Sequence, residues 1–138
     1  MTTSTNSSLT EISEMNFAIP TGQAELENII LERIAADNTE EASVFRLQLS
    51  KSTQSRDMTG VGFFLNFAFT EEIPRLKKRR PWADGLFYAN GLVHPGGYLL
   101  WVTDDGLLDS LEGYSSGDWP KEKIEFRRFM DQNVEEIK

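Results

Sequence analysis

The fold of this chain is decided by residues 85–120, which read GLFYANGLVHPGGYLLWVTDDGLLDSLEGYSSGDWP. This stretch predicts three consecutive strands, over residues 86–92, 98–103 and 107–114, joined by two tight turns. The second turn is Asp105-Gly106, because Asp and Gly tolerate the positive φ values that a two-residue hairpin turn requires. The stretch ends in Trp119-Pro120, which we interpret as the start of a helix, since proline is tolerated in a first helical turn.

The hairpin turn also predicts which residues face each other. The predicted cross-strand pairs are Asp104–Leu107, Trp101–Ser110, Leu100–Leu111 and Leu99–Glu112. One face then carries Tyr98, Leu100, Val102, Asp109 and Leu111, and the other carries Leu99, Trp101, Leu108, Glu112 and Tyr114. Neither face is purely polar, so we expect both to be partly covered. Asp109 and Glu112 are then acids on largely apolar faces that point in opposite directions.

The remaining segments complete the predicted fold. Apolar residues at steps of three and four predict a helix over residues 21–36. Alternation predicts a half-buried strand over residues 42–50, and the most hydrophobic run, residues 60–69, predicts a central strand; residues 51–60 between them read as a polar loop. At the other end of the chain, an apolar stripe at helical spacing predicts a core-facing helix: Phe126, Phe129, Met130, Val134 and Ile137. The predicted fold class is α+β, with an antiparallel sheet of about five strands and an N-terminal and a C-terminal helix packed on it.

Length and composition place the chain among single-domain globular proteins. With 138 residues, of which 39% are hydrophobic, it is long enough to bury one core. Residues 1–15 have neither a basic start nor an apolar centre, so we predict a flexible tail and not a secretory signal, followed by one domain over residues 16–138. No apolar run approaches the roughly 20 residues of a membrane-spanning helix. The chain has no cysteine, which excludes thiolate chemistry and fits a reducing, cytoplasmic location.

Charge narrows the class of partner. The net charge of −8 disfavours nucleic acid as a partner, because phosphate affinity comes from Lys and Arg. Two interpretations of this charge stay open: it steers the protein toward basic partners, or it only keeps the protein soluble. One segment between two prolines is strongly basic: Arg75, Lys77, Lys78, Arg79 and Arg80. The prolines favour a loop or an edge segment. Two interpretations stay open, a secondary binding patch for an anion or a partner, and a solvated run that answers acids elsewhere on the surface.

Acids and aromatic residues concentrate around the hairpin. The candidate partner-binding residues are Trp101, Asp104, Asp105, Asp109, Glu112, Tyr114 and Asp118. Acids beside aromatic anchors suit an interface with a basic protein, because charge speeds a selective encounter and aromatic rings supply affinity. The alternative interpretation is a solvated acidic rim.

A catalytic or small-molecule site has fewer supporting residues. His94 is the one imidazole, and together with Tyr88, Glu112 and Tyr114 it defines an alternative pocket in which it could act as a general base. No nucleophile motif accompanies it, and a single histidine without cysteine argues against a metal centre. We therefore predict a protein that is not an enzyme, with no cofactor and no catalytic residues.

The run GLVHPGGYLLWVTDDGLLDSLEGYSSGDWP, residues 91–120, resembles a pattern in small bacterial proteins. Some of these are immunity proteins of toxin systems, including contact-dependent growth inhibition. The resemblance implies a cytoplasmic inhibitor that binds one cognate toxin domain and blocks its active site, and it carries over no catalytic residues. We expect the toxin domain to be basic, such as a nuclease, with neither nucleic acid nor membrane as a partner.

Overall fold

The computed structural model describes residues 17–77 and 82–132. Two helices, α1 (Gln23–Asp37) and α2 (Ala42–Lys51), are separated by a short 3₁₀ helix (Thr39–Glu41). They are followed by six strands: β1 (Thr53–Met58), β2 (Gly62–Ala68), β3 (Ala83–Asn90), β4 (Gly96–Val102), β5 (Leu108–Ser115) and β6 (Glu125–Phe129). The strands form one antiparallel sheet in the order β1-β2-β5-β4-β3-β6.

The α+β class and the antiparallel sheet are confirmed; within the described residues the sheet has six strands, where about five were expected. In the described part of the chain both helices precede the sheet, and residues 125–129, predicted to belong to a C-terminal helix, form a strand instead. Some predictions lie outside the described residues: the tail over residues 1–15, and Lys78, Arg79, Arg80, Val134 and Ile137.

The central hairpin has the predicted register and a longer turn. The pairs Leu99–Glu112, Leu100–Leu111 and Trp101–Ser110 are those expected from the sequence. At the turn, however, it is Thr103 and not Asp104 that faces Leu107, and the Thr103 N–H donates to the Leu107 carbonyl at 2.8 Å. Gly106 takes up φ 85°, a value that glycine adopts without strain. The turn therefore contains one residue more than predicted.

A β-bulge at Asp109 compensates for the longer turn. Val102 pairs with Leu108, whereas Trp101 pairs with Ser110, which leaves Asp109 without a cross-strand partner. The bulge reverses the alternation of side chains at this end of β5. Leu108 is consequently buried in the core and Asp109 is exposed to solvent, which corrects the predicted faces of both residues.

Residues 42–50, predicted as a strand, belong to α2. Phe45 and Gln48, three residues apart, are fully buried, while Leu47 is 37% exposed. The alternation of Phe45, Leu47 and Leu49 over so few residues fits a helix and a strand equally, and burial against the sheet selects the helix.

β1 replaces a predicted loop, and β6 replaces the start of the predicted C-terminal helix. The side chains of β1 are mostly exposed, so this edge strand shows no apolar alternation and is held by backbone pairing with β2. In β6 a bulge at Arg127 places Phe126 and Phe129 on the same face, although they are three residues apart. That spacing is the one that predicted a helix.

The helices and the connecting segments cover a single face of the sheet. Leu76 and Trp82, which precede β3, and Trp119, which precedes β6, are buried in the same core as the helices, and Trp82 stacks on Phe45 of α2 at 5.4 Å. The largest contributors from the helices and strands are Leu26, Ile30, Ile34, Phe45, Phe63, Phe87, Leu100 and Leu111. Within the described residues, the second face of the sheet has no covering layer.

Two buried polar clusters fix the helices to the sheet. Gln48 of α2 accepts the N–H of Leu108 at 2.9 Å and donates to the carbonyls of Pro74 and Gly106 at 2.8 and 3.0 Å. Both N–H groups and the oxygen of the Gln48 carboxamide are therefore hydrogen-bonded. A buried amide stabilises a fold only when its polar atoms have such partners.

The second cluster joins α1 to β1. The indole N–H of Trp119 donates to Gln23, which in turn donates to the buried carboxylate of Glu27 at 2.8 Å. Arg56 of β1 completes this series of contacts by donating two hydrogen bonds of 2.6 Å to Glu27. Hydrogen bonding to the carboxylate raises the pKa of Arg56, so the guanidinium stays charged.

Candidate partner-binding face

The face of the sheet opposite the helices, called here the open face, carries large apolar side chains. Residues that pair directly across antiparallel strands project to the same side, so the register assigns them. These side chains are Phe64, Leu86, Tyr88, Leu99, Trp101 and Tyr114. Leu86 and Tyr114 are 42% and 38% exposed, and the other four are partly exposed. A contiguous group of this kind on a protein surface is typical of an interaction site.

Tyr114 lies across the neighbouring strand. Its ring extends from β5 over Gly97 of β4, the residue with which it pairs, and a Cβ at Gly97 would overlap the ring and its hydroxyl. Gly97 therefore provides the space in which the ring rests on the sheet. An aromatic side chain held in this way presents one of its faces to solvent with little conformational freedom to lose on binding.

Trp101 and Glu112 form a fixed pair near the middle of the open face. The indole N–H of Trp101 donates to Oε1 of Glu112 at 3.0 Å, diagonally across β4 and β5. This hydrogen bond orients both side chains. Its donor is neutral, so the negative charge of Glu112 remains available to a cation.

The open face is negatively charged. Among the residues that the register pairs across the described strands, the charged side chains of this face are Asp57, Asp84, Glu112, Glu125 and Arg128. Four carboxylates and one guanidinium give a formal charge of −4 + 1 = −3. Arg128 lies over the ring of Tyr88 at 4.4 Å, at the β6 edge of the sheet. Within the described residues, Asp57, Asp84 and Glu112 form no ion pair.

The structure brings together some of the residues predicted for partner binding and separates others. Trp101, Glu112 and Tyr114 lie side by side on the open face. Asp104 and Asp105 occupy the turn before β5, whereas Asp118 follows its other end. The strand between them spans about 26 Å, at about 3.3 Å per residue. These acids therefore belong to two opposite rims of the sheet.

The turn at Asp105 contacts the beginning of the basic segment. Arg75 donates to the backbone carbonyl of Asp105 at 3.3 Å and forms an ion pair with Glu72 at 2.8 Å. The N–H of Leu76 is bonded to the same turn at 2.8 Å. For Arg75, these contacts favour the interpretation in which the basic residues pair with acidic groups of this chain. Residues 78–80 lie outside the described part.

The residues of the alternative pocket do not converge. His94 is exposed in the turn between β3 and β4, beside a shallow depression. That depression is lined by Gly91, Val93, His94, Ser115, Gly117, Asp118, Trp119 and Pro120. Tyr88 and Glu112 lie on the open face instead, with β4 between their strands. The structure therefore does not place His94 beside Glu112, the carboxylate predicted to accompany it in acid–base chemistry.

A groove of about 440 Å³ opens where β6 ends beside β3. Arg33 of α1 lies over the ring of Phe129 at 4.4 Å and donates to Asp37 at 2.8 Å and to Asp131. Hydrogen bonds to the two carboxylates raise the pKa of Arg33, so it stays charged. Burial raises the pKa of Tyr98, at the floor of the groove, to about 12. Arg33 pairs with Asp37 and Asp131, whereas Asp84, which also lines the groove, has no ion pair within the described residues.

Several residues of the open face could not be identified from the sequence. Asp57 lies in residues predicted as a loop, and Asp84 lies just before a predicted strand. In residues 60–69, Phe64 alternates with the apolar residues Phe63 and Leu65, so the sequence does contain a signal that Phe64 faces away from the core. It gave no information on which acids would be its neighbours, because those belong to distant segments.

Among residues 17–77 and 82–132, no three His, Asp or Glu side chains are arranged to hold a metal ion. In the same part of the chain, the helices are too short or too polar to span a membrane. Comparison of the chain with protein-family models, with curated proteins and with solved structures gave no match.

Proposed function

We propose that this protein binds a basic protein partner through the open face and neutralises it, as an immunity protein does with its toxin. The observation that supports this is that aromatic side chains exposed on the open face lie beside carboxylates that form no ion pair within the described residues. Aromatic anchors such as Trp101 and Tyr114 supply affinity, and unpaired charge speeds and selects the encounter.

The proposed mechanism is occlusion and involves no catalysis. A toxin that acts on an anionic substrate, such as a nuclease, needs cations in its active site. Carboxylates of the open face can form ion pairs with those cations in place of the substrate. The aromatic side chains exclude water around the contact. The net charge of −8 favours the encounter with a basic partner as well. In this proposal the protein needs no cofactor and acts in the cytoplasm, where its partner would be toxic.

The experiment compares three immobilised proteins: the wild type, Asp57→Lys/Asp84→Lys and the control Glu40→Lys/Glu122→Lys. All four substituted residues are exposed, and both variants change the net charge equally, but Glu40 and Glu122 lie outside the open face. Lysate of the source organism is passed over each column, retained proteins are identified by mass spectrometry, and each candidate is purified and tested for toxicity.

We expect the wild type and the control to retain one basic protein that the open-face variant loses. That protein should be toxic on expression, and co-expression of the wild type should suppress its toxicity. Equal retention by all three columns, or a retained protein whose activity the wild type does not inhibit, would contradict the proposed function.

A further inference from the structure

The register places five residues of the open face in one row that crosses the strands. In the order of the strands β1, β2, β5, β4 and β3, the row reads Asp57, Phe64, Glu112, Leu99 and Asp84. Each is the direct cross-strand partner of the next, so all five project from the same side. Carboxylates and apolar side chains therefore alternate along a line perpendicular to the strands.

The spacing along this row matches an α-helix. Neighbouring strands are about 4.8 Å apart, so the carboxylates recur every second strand, at about 9.6 Å. Seven residues of an α-helix advance about 10.5 Å and return to nearly the same side of the helix. Cations at positions i, i+7 and i+14 of a helix would thus face the three carboxylates. Apolar residues at i+3 or i+4, and again at i+10 or i+11, would face Phe64 and Leu99.

An extended strand of a partner, laid across the same row, would not match the spacing of its carboxylates. Three residues of a strand cover about 10 Å, but side chains three apart point to opposite faces, so consecutive cations could not all reach the sheet. The twist of the sheet, about 20–25° per strand, turns the outer carboxylates toward the two flanks of a helix lying on the row. The long, flexible side chains of Lys and Arg can follow that rotation.

Two of the three carboxylates are already oriented. Asp57 accepts a hydrogen bond from Asn66 at 3.0 Å, and Glu112 accepts one from Trp101 at 3.0 Å. Both donors are neutral, and none of the three carboxylates has an ion pair within the described residues. An occupant that covers the row must therefore provide cations, because a carboxylate removed from water without a partner is strongly unfavourable.

We infer that the open face binds a basic amphipathic helix of its partner, laid across the strands with cations seven residues apart. This inference rests on the proposed function, for which it specifies the element that is recognised. Trp101 and Tyr114 flank the row on either side and would contact the apolar side of the helix.

The test uses two capped synthetic peptides of about 21 residues and identical composition, long enough for three helical repeats. One has lysines seven residues apart with leucines between them, and the other has lysines five residues apart, so that they fall on different sides of a helix. Binding is measured by calorimetry and by the fluorescence of Trp101, using a Trp101→Phe variant to assign the signal. Circular dichroism reports the helix content of the bound peptide.

The peptide with seven-residue spacing should bind about tenfold more tightly than the other and gain helix content on binding. Asp57→Lys/Asp84→Lys should weaken it by about tenfold or more, and Glu40→Lys/Glu122→Lys by less than about twofold. Equal affinity of the two peptides, or affinity that the open-face variant leaves unchanged, would overturn the inference.

The two proposals fail separately. If a toxic partner depends on the open face but the two peptides bind equally, the helix is not the recognised element and the proposed function stands. If the peptides discriminate as expected but no captured protein is neutralised, helix recognition stands and the immunity function does not.

Discussion

The ring of Tyr114 in β5 lies over Gly97 in β4, in the space that a Cβ at Gly97 would occupy. Gly97→Ala should therefore displace the ring and destabilise the sheet by about 1–3 kcal/mol, the usual cost of overpacking. Urea denaturation of both proteins measures the difference.

Gly117→Ala is the matched control, because nothing lies within 4 Å of a Cβ at that position. It should change the free energy of unfolding by less than about 1 kcal/mol. Equal effects of the two substitutions would show that the ring of Tyr114 does not occupy the position over Gly97.

Gln48 is buried with three hydrogen bonds to backbone groups of other segments. Gln48→Ala should cost about 3 kcal/mol or more, since it removes these bonds, leaves the N–H of Leu108 unsatisfied and creates a cavity. The same substitution at Gln54, an exposed residue of β1, should cost less than about 1 kcal/mol. Thermal unfolding of both variants tests the difference, and a loss at Gln48 as small as that at Gln54 would contradict the buried network.

Glu27 is buried and depends on Arg56 for its counter-charge. Arg56→Met should destabilise the protein by about 3–5 kcal/mol, because it leaves a buried carboxylate without its cation. Arg46→Met breaks the exposed pair with Glu32 and should cost no more than about 1 kcal/mol.

Glu27→Gln in the Arg56→Met background should restore part of the lost stability, because the remaining side chain is then neutral. Urea denaturation of the single and double variants provides the test. A double variant no more stable than Arg56→Met alone would mean that the uncompensated charge is not the cause.

Tyr98 has its pKa raised to about 12 from 10.0, chiefly by burial, with Arg33 acting in the opposite direction. A group whose pKa is higher in the folded state stabilises the fold fully below its unfolded pKa, and this contribution is lost as the pH rises. Stability should therefore decline between about pH 10 and pH 12 more steeply in the wild type than in Tyr98→Phe.

Absorbance at 295 nm, recorded as the difference between wild type and Tyr98→Phe, should show one phenol that titrates near 12. A difference spectrum that titrates near 10 would contradict the burial of this hydroxyl. Unfolding curves at matched pH values provide the independent check on stability.

The sequence was sufficient to predict the hairpin of β4 and β5, because turn chemistry and side-chain alternation are local properties. It did not predict the two bulges, at Asp109 and Arg127, each of which places residues three apart on one face. In β6 this spacing imitates the period of a helix. α2 was predicted as a strand for a related reason, since its run of alternating residues is too short to distinguish the two periods.

For the candidate site, the sequence alone placed Trp101, Glu112 and Tyr114 on one face, and this register is correct because the bulge at Asp109 compensates for a turn one residue longer than predicted. Only the tertiary structure decided that this face is the one opposite both helices. It also decided that Asp57 and Asp84 join Glu112 in one row. The physical reason is that strand order depends on pairing between segments far apart in the chain, and those pairings are selected by burial of the whole core against the two helices.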